Sequence, residues 1–391
     1  MGVVIRATIV LSKFFLIFFI NKEEGLEAVG QLGLGFTVLA FVSAVCGLEF
    51  YQRQIRRTAK NGLNSYSVAY QVNLILSLFL GFIISFLISL VLLDDNQLRF
   101  FIVLCTLIEI ILLDYCRFLY TIGSYNKASY LNFLKSIFPL FLLVFFSFYS
   151  SASLVKLYFI LYALCGIVIC IFTIKFNLKL RFKLFNLKYV KSNLKYAKYF
   201  ILTSLSNNLH EYSDRLLLSV ALTQKMFGIY FFAISIVNAC RSIIFYGPIS
   251  QFYPSLIKQA GKVKYPEYKM LILTFLITAV FGVIFFIVNL IPPIAEFLRI
   301  PEEITSPNMI AIIFVFTGLL TSLYYFHYLL FSLKMDKSNG IINLVSAAIL
   351  SICLLYFGST LSIRELFLLK IIIVMITIAS KNYIYRKSLH D

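Results

Sequence analysis

Residues 269–291 read KMLILTFLITAVFGVIFFIVNLI. After Lys269 this run holds no ionisable side chain. It is long enough to cross the hydrocarbon core of a bilayer, which takes about 20 mostly apolar residues wound as a helix. Working outward in both directions, eleven further stretches have the same character: 3–20, 28–48, 68–93, 98–122, 128–149, 153–174, 199–222, 226–247, 307–331, 340–357 and 361–380. The bulk composition agrees. Of 391 residues 61% are hydrophobic and only 13% charged, against about 25% charged in an ordinary soluble chain. That excludes a soluble enzyme, a disordered chain and a secreted disulfide scaffold. The expectation is an all-α polytopic membrane protein with twelve transmembrane helices.

The net charge of +18 is an orientation signal rather than a nucleic-acid footprint. Cytoplasmic loops collect Lys and Arg. With the N-terminus in the cytoplasm, inward loops hold 23 Lys and Arg and outward loops hold six, while acids divide four inside and nine outside. Both termini are then cytoplasmic. The first span carries Lys13 midway and lacks a small-x-small cleavage site, so it reads as a retained helix. The seven Cys lie in or beside apolar runs without a CxxC pair, as packed thiols rather than a zinc or disulfide framework. Trp is absent, which leaves the 25 Tyr to form any interfacial belt.

The longest inward connection is basic, aromatic and amphipathic, and suits a linker lying on the anionic inner leaflet. It divides the chain into a six-helix bundle over 1–174, the linker 175–198 and a second six-helix bundle over 199–391. The halves show a faint internal likeness. Lys13 is followed by a short turn and Gly30-Gln-Leu-Gly33, and Arg215 by a short turn and Gly228-Ile-Tyr-Phe. Inverted or parallel repeats of this kind place a binding site near the membrane midplane.

Ionisable groups inside a bilayer cost roughly 2.5–3.5 kcal/mol or more each at mid-depth. Ten occur within spans: Arg6, Lys13, Lys135, Arg215, Arg241, Lys370, Glu109, Asp114, Glu211 and Asp214. In the seventh span Ser204, Asn208, Glu211, Arg215 and Ser219 are confined to an arc of about 80° at about 100° per residue. Such a stripe must face other helices or water. Glu211 and Arg215 stand at i,i+4 and can pair along the helix, leaving Asp214 for another partner, for instance a cation of the first span. Arg6 and Lys13 share one face of that span with no acid beside them; snorkelling explains Arg6 well and the deeper Lys13 less well. Asp114 and Arg117 at i,i+3 read as a structural ion pair. Glu109 is more isolated and is a candidate for ion coupling, while Lys135 and Lys370 read as snorkelling or paired. Arg241, near the inner end of its span, suits snorkelling and substrate capture about equally. Pro139 should kink the fifth span. His210 and His327 lack metal-ligand spacing, so no metal site is expected. No Walker A, GxSxG or HExxH motif occurs. No catalytic residue is assigned, and a transporter fits better than an enzyme.

The six-plus-six layout, the early Lys13, the stretch Asp214-Arg215-Leu216-Leu217-Leu218 followed by Gly228-Ile229-Tyr230, Ala233, and Phe252-Tyr253-Pro254 together resemble the Wzx-type polysaccharide-repeat flippases. These are O-antigen and capsule translocases of the multidrug/oligosaccharidyl-lipid/polysaccharide exporter (MOP) superfamily. The resemblance implies two six-helix bundles around a central cavity, a MATE-like fold, in a bacterial inner membrane. It implies movement of undecaprenyl-diphosphate-linked oligosaccharide to the outer leaflet by alternating access. Lys13, Arg215, Arg6 and Arg241 would then be substrate-binding cations. Glu211, Asp214 and Glu109 would exchange a coupling H⁺ or Na⁺, with Ser204, Asn208 and Ser219 as polar lining and no other cofactor. Partners would be the lipid-linked glycan, membrane lipids, the glycan polymerase and the chain-length regulator. The acids on the seventh span depart from a purely cationic chute. A MATE-like multidrug or metabolite exporter is the alternative, with a membrane glycan polymerase behind it.

Overall fold

The computed structural model describes residues 2–47, 64–121, 124–149, 153–177, 187–244, 268–291, 298–333 and 335–388. Twelve long helices account for most of them: α1 Gly2–Glu24, α2 Leu26–Cys46, α3 Asn64–Leu92, α4 Asn96–Thr121, α5 Tyr125–Ser147, α6 Leu154–Asn177, α7 Leu187–Ala221, α8 Gln224–Ile244, α9 Tyr268–Leu290, α10 Pro307–Ser332, α11 Asp336–Phe357 and α12 Ile363–Lys387. A single further turn, Glu302–Thr305, precedes α10. Each long helix coincides with one of the twelve spans read from the sequence. Among the described residues eight are long and apolar enough to cross a membrane by length and composition. The other four, α1, α4, α7 and α12, carry eight of the ten ionisable span residues. The protein is an all-α, multi-pass membrane protein.

The chain forms two compact units. The first contains Met1–Ser12 and Leu34–Asn208, the second Lys13–Gly33 and Leu209–Asp391.

In the first unit α4 is the hub and packs on α3, α5 and α6. Small residues allow the close approach that membrane helices need, because lipid supplies no hydrophobic drive between them. Gly35 lies against the Phe159 ring, Gly81 against Ile110 and Gly166 against Ile108. Pro139 sits inside α5, which runs on to Ser147 beyond it. At the α3–α4 turn the Asp95 carboxylate accepts the backbone N–H groups of Gln97 at 2.8 Å and Leu98 at 3.1 Å, capping α4. It also pairs with Lys156 of α6. The pairing with Lys156 and these backbone bonds hold the Asp95 carboxyl below its usual range.

In the second unit α10 is the hub, packing on α8, α9, α11 and α12. Thr317, Thr321 and Ser322 of α10 are buried, and each donates to the carbonyl four residues back, at 2.8, 2.7 and 2.8 Å. Their hydroxyls are thus satisfied within the helix and leave its flanks free for packing. α9 is the reverse case: Ile272, Leu276, Val280, Val283, Ile284 and Ile287 are all exposed, a face suited to lipid.

One end of this unit is built on two unusual backbone positions. Gly25 (φ 86) makes the turn from α1 into α2 in a conformation that favours glycine. Arg299 adopts φ 43; its carbonyl accepts from Asn21 Nδ2 at 2.6 Å, and its guanidinium donates to the Lys22 carbonyl at 2.7 Å. Close by in sequence, α2 and α8 cross at Gly30 and Gly228. A methyl group on Gly228 would overlap the Leu26 carbonyl, and one on Gly30 would meet the Gln224 carbonyl at 2.5 Å. The two glycine-containing stretches that suggested an internal repeat therefore touch backbone to backbone.

Candidate functional site: paired charges within the helix bundles

The second unit buries a polar core contributed by α7, α8, α10 and α12. Two acids of α7 anchor it, and each acid meets one cation and one phenol. Asp214 is fully buried. Its Oδ2 accepts from Lys370 Nζ of α12 at 2.5 Å and from the Tyr230 hydroxyl of α8. Lys370 also donates to Tyr230 Oη at 3.0 Å. The ammonium lies 4.8 Å from the centre of the Phe316 ring, and Phe316 and Tyr230 both pack on Phe367. Aromatic faces carry negative potential and favour a cation at this distance.

One turn towards the N-terminus, Glu211 repeats the scheme. Its Oε1 accepts from Arg241 Nη2 of α8 at 2.5 Å and its Oε2 from the Tyr324 hydroxyl of α10 at 2.5 Å. The Arg241 guanidinium also covers the Tyr324 ring, 5.0 Å from its centre.

The third cation is different. Arg215 is 7% exposed. It stacks on Tyr212, 5.0 Å from the ring centre, and its buried Nε has no hydrogen-bond partner among the described residues. The sequence-based pairing of Arg215 with Glu211 is thus replaced by the cross-helix pair Glu211–Arg241. The i,i+4 geometry was available, but Arg241 reaches Glu211 from α8. The expectation that a cation of the first span meets Asp214 is replaced in the same way by Lys370, from the last helix.

The first unit has its own buried pair. Lys135 Nζ of α5 reaches both oxygens of Glu109 on α4, at 2.7 and 2.9 Å, and the Tyr162 hydroxyl of α6 donates to the same carboxylate at 2.6 Å. Glu109 is therefore not isolated. Asp114 and Arg117 form the expected ion pair at 3.2 Å.

The remaining sequence-assigned residues are dispersed. Ser204 and Asn208 lie on the part of α7 that belongs to the first unit, Glu211, Asp214, Arg215 and Ser219 on the part that belongs to the second. Asn208 donates to the Ser204 carbonyl at 2.8 Å and Ser219 to the Leu216 carbonyl at 2.8 Å, both within the helix. Lys13 is exposed. The Arg6 side chain and the stretch Phe252-Tyr253-Pro254 lie outside the described residues. Among the described residues no group of three His, Cys, Asp or Glu could hold a metal ion.

Sequence reasoning missed the phenols Tyr230, Tyr324 and Tyr162, because a lone Tyr in an apolar run looks like packing. It also placed Lys381 in an inward loop, whereas Lys381 is 1% exposed within α12.

No protein-family model matches the sequence, and no curated protein matches it. Solved structures do. One is an inward-facing multidrug resistance MATE family transporter of the MOP superfamily, at 14% identity, 99% of this chain, 98% of that chain and TM-score 0.71. A MATE transporter in complex with MaL6 follows, at 15% identity, 100% and 96% coverage and TM-score 0.64. A MOP superfamily transporter from Pyrococcus furiosus, whose reversed binding-pocket polarity suggests a different function, aligns at 14% identity, 100% and 95% coverage and TM-score 0.60. At this identity the likeness speaks for the fold: over essentially its whole length the chain is built like the MATE transporters of the MOP superfamily.

Proposed function

We propose that the protein is a flippase that carries undecaprenyl-diphosphate-linked oligosaccharide repeat units from the cytoplasmic to the periplasmic leaflet of a bacterial inner membrane. The glycan would serve O-antigen, capsule or exopolysaccharide assembly, alongside a glycan polymerase and a chain-length regulator. The observation that carries this reading is the sign of the buried charge. Of the span charges in the second unit Lys13 is exposed, and inside the unit three cations (Arg215, Arg241, Lys370) face two acids (Glu211, Asp214). A pocket for cationic drugs calls for the opposite balance, whereas a diphosphate cargo is anionic. The reversed pocket polarity of the Pyrococcus furiosus transporter supports the idea that one fold serves cargo of either sign.

In this reading both termini are cytoplasmic and transport runs by alternating access. Exposed Lys13 makes the first contact with the diphosphate, aided by Arg6, and Arg215 and Arg241 supply further positive potential. The pairs at Glu211, Asp214 and Glu109 are where a coupling H⁺ or Na⁺ would compete with a protein cation for a carboxylate. The test is the fate of lipid-linked repeats in a deletion strain. Loss of surface glycan with build-up of undecaprenyl-linked repeats on the cytoplasmic side is expected. Normal surface glycan in a strain shown to have no second flippase would remove the reading. The fold likeness to a multidrug resistance transporter favours drug or metabolite export as the second reading, and drug susceptibility of the same strain tests it.

A further inference from the structure

Among the five charges Glu211, Asp214, Arg215, Arg241 and Lys370 the pairing fails at one point. Asp214 is met by Lys370 and Glu211 by Arg241. Both Glu211 oxygens are occupied, by Arg241 and Tyr324. This leaves the Arg215 guanidinium as a buried positive charge to which no described residue donates an acceptor. Glu211 and Asp214 lie within its electrostatic reach but are each bonded to another cation; an ionised side chain without an acceptor of its own is costly in a low-dielectric interior, and a guanidinium does not shed its proton to escape that cost.

Beside it lies a cavity of about 20 Å³ lined by His210, Glu211, Arg215, Asn238, Phe316 and Lys370, among others. That volume holds one small particle, since about 10–15 Å³ already accommodates a water. Among the described residues the buried Arg215 Nε, a donor, and His210 Nε2, a donor in one of its two tautomers, have no partner, and Lys370 has used two of its three ammonium protons, on Asp214 and Tyr230. The unpartnered acceptor nearby, Asp214 Oδ1, belongs to a residue that does not line the cavity.

We infer that this cavity is a binding site for a small monovalent inorganic anion, with chloride as the natural occupant. Arg215 supplies the charge, His210 Nε2–H and Lys370 supply further donors, and Phe316 walls off one side. One negative charge brings the five-residue core to neutrality. The cavity is too small to admit a sugar or a diphosphate. The inference stands on side chains of a single compact unit and holds or fails whatever the protein transports.

The experiment is thermal unfolding of the purified full-length protein in sodium chloride against sodium gluconate, at constant sodium and ionic strength, with ³⁶Cl⁻ equilibrium binding in parallel. A ligand that binds only the folded state raises its stability in a saturable way. The expected result is a saturable rise in unfolding temperature with chloride and one chloride bound per chain. Arg215→Met should lose both while unfolding in gluconate no earlier than the parent. If that variant does not fold, crystals of the parent grown in bromide decide: an anomalous peak against Arg215 supports the site, and water there without a peak overturns it. Equal unfolding temperatures in the two salts, or a chloride response that Arg215→Met retains, would also overturn it.

Discussion

Lys370 Nζ stands 2.5 Å from Asp214 Oδ2 although 156 residues separate them in the chain. The pair ties the last helix to α7 at a depth where neither charge could stand alone. Breaking a buried pair from one side costs about 3–5 kcal/mol, because the survivor stays charged and unpartnered. Lys370→Met should therefore lower the unfolding temperature sharply. Adding Asp214→Asn should restore much of the loss, since the double variant leaves no buried charge. A double-mutant cycle on unfolding in detergent measures this; additive losses would show that the two side chains do not act as a pair.

Tyr324 offers a gentler probe of the second pair. Tyr324→Phe removes one hydrogen bond from Glu211 and keeps the ring beneath Arg241. A loss of about 1–3 kcal/mol is expected, as for an unmet hydrogen bond to a charged group. Arg241→Gln should cost more than Tyr324→Phe on the same unfolding assay. The reverse order would mean that the phenol, and not the guanidinium, holds the acid.

Gly228→Ala drives a methyl group into the Leu26 carbonyl, a backbone atom that cannot rotate away. Overpacking of this kind typically costs about 1–3 kcal/mol. Gly25→Ala meets no atom within 4 Å and carries only the strain of φ 86, about 1 kcal/mol. Yield of monodisperse protein in detergent should fall in the order parent, Gly25→Ala, Gly228→Ala.

Lys381 has 1% exposure and no ion-pair or hydrogen-bond partner among the described residues. Lys381→Met keeps the shape of the stem and removes the buried charge. Stability should rise by on the order of 1 kcal/mol or more, read as a higher unfolding temperature; a fall would reveal a partner for the ammonium.

The Asp95–Lys156 pair bears on pH. The Asp95 carboxyl is held below its ordinary value of 3.8, so the folded state binds its proton less readily than the unfolded chain. Its stabilisation is present above about pH 4 and fades as pH falls through the lowered value. Both side chains are about one-third exposed, so solvent limits the effect to at most about 1 kcal/mol. Asp95→Asn should lower stability slightly, by at most about 1 kcal/mol, across the neutral region and converge with the parent in acid, which flattens the acid limb of a stability-versus-pH curve.

Helix positions were readable because bilayer thickness forces a minimum apolar length, and every span fell on a helix. That Asp114 would find Arg117 was readable too, since both stand on one helix face three residues apart. What could not be read was pairing between helices. Glu211 has a cation at i+4 and takes one from α8 instead; Glu109 looked isolated because Lys135 and Tyr162 come from other helices. Periodicity reports the face of a helix, and which neighbour that face meets depends on packing among twelve similar cylinders. Lys381 misled for a related reason: charge counting treats a lysine just beyond an apolar run as solvated, and α12 carries it on into the interior.

The make-up of the second unit bears on how the protein is assembled. Its segment Lys13–Gly33 leaves the ribosome long before its helix α12. At about 5–20 residues per second, the 156 residues between Asp214 and Lys370 take on the order of 10 s to synthesise. For that interval α7 must be held by the insertion machinery or by lipid with its acid lacking the cation that will complete it. A ribosome stalled before residue 370 would therefore display an unfinished bundle, and completion of this unit waits for α12.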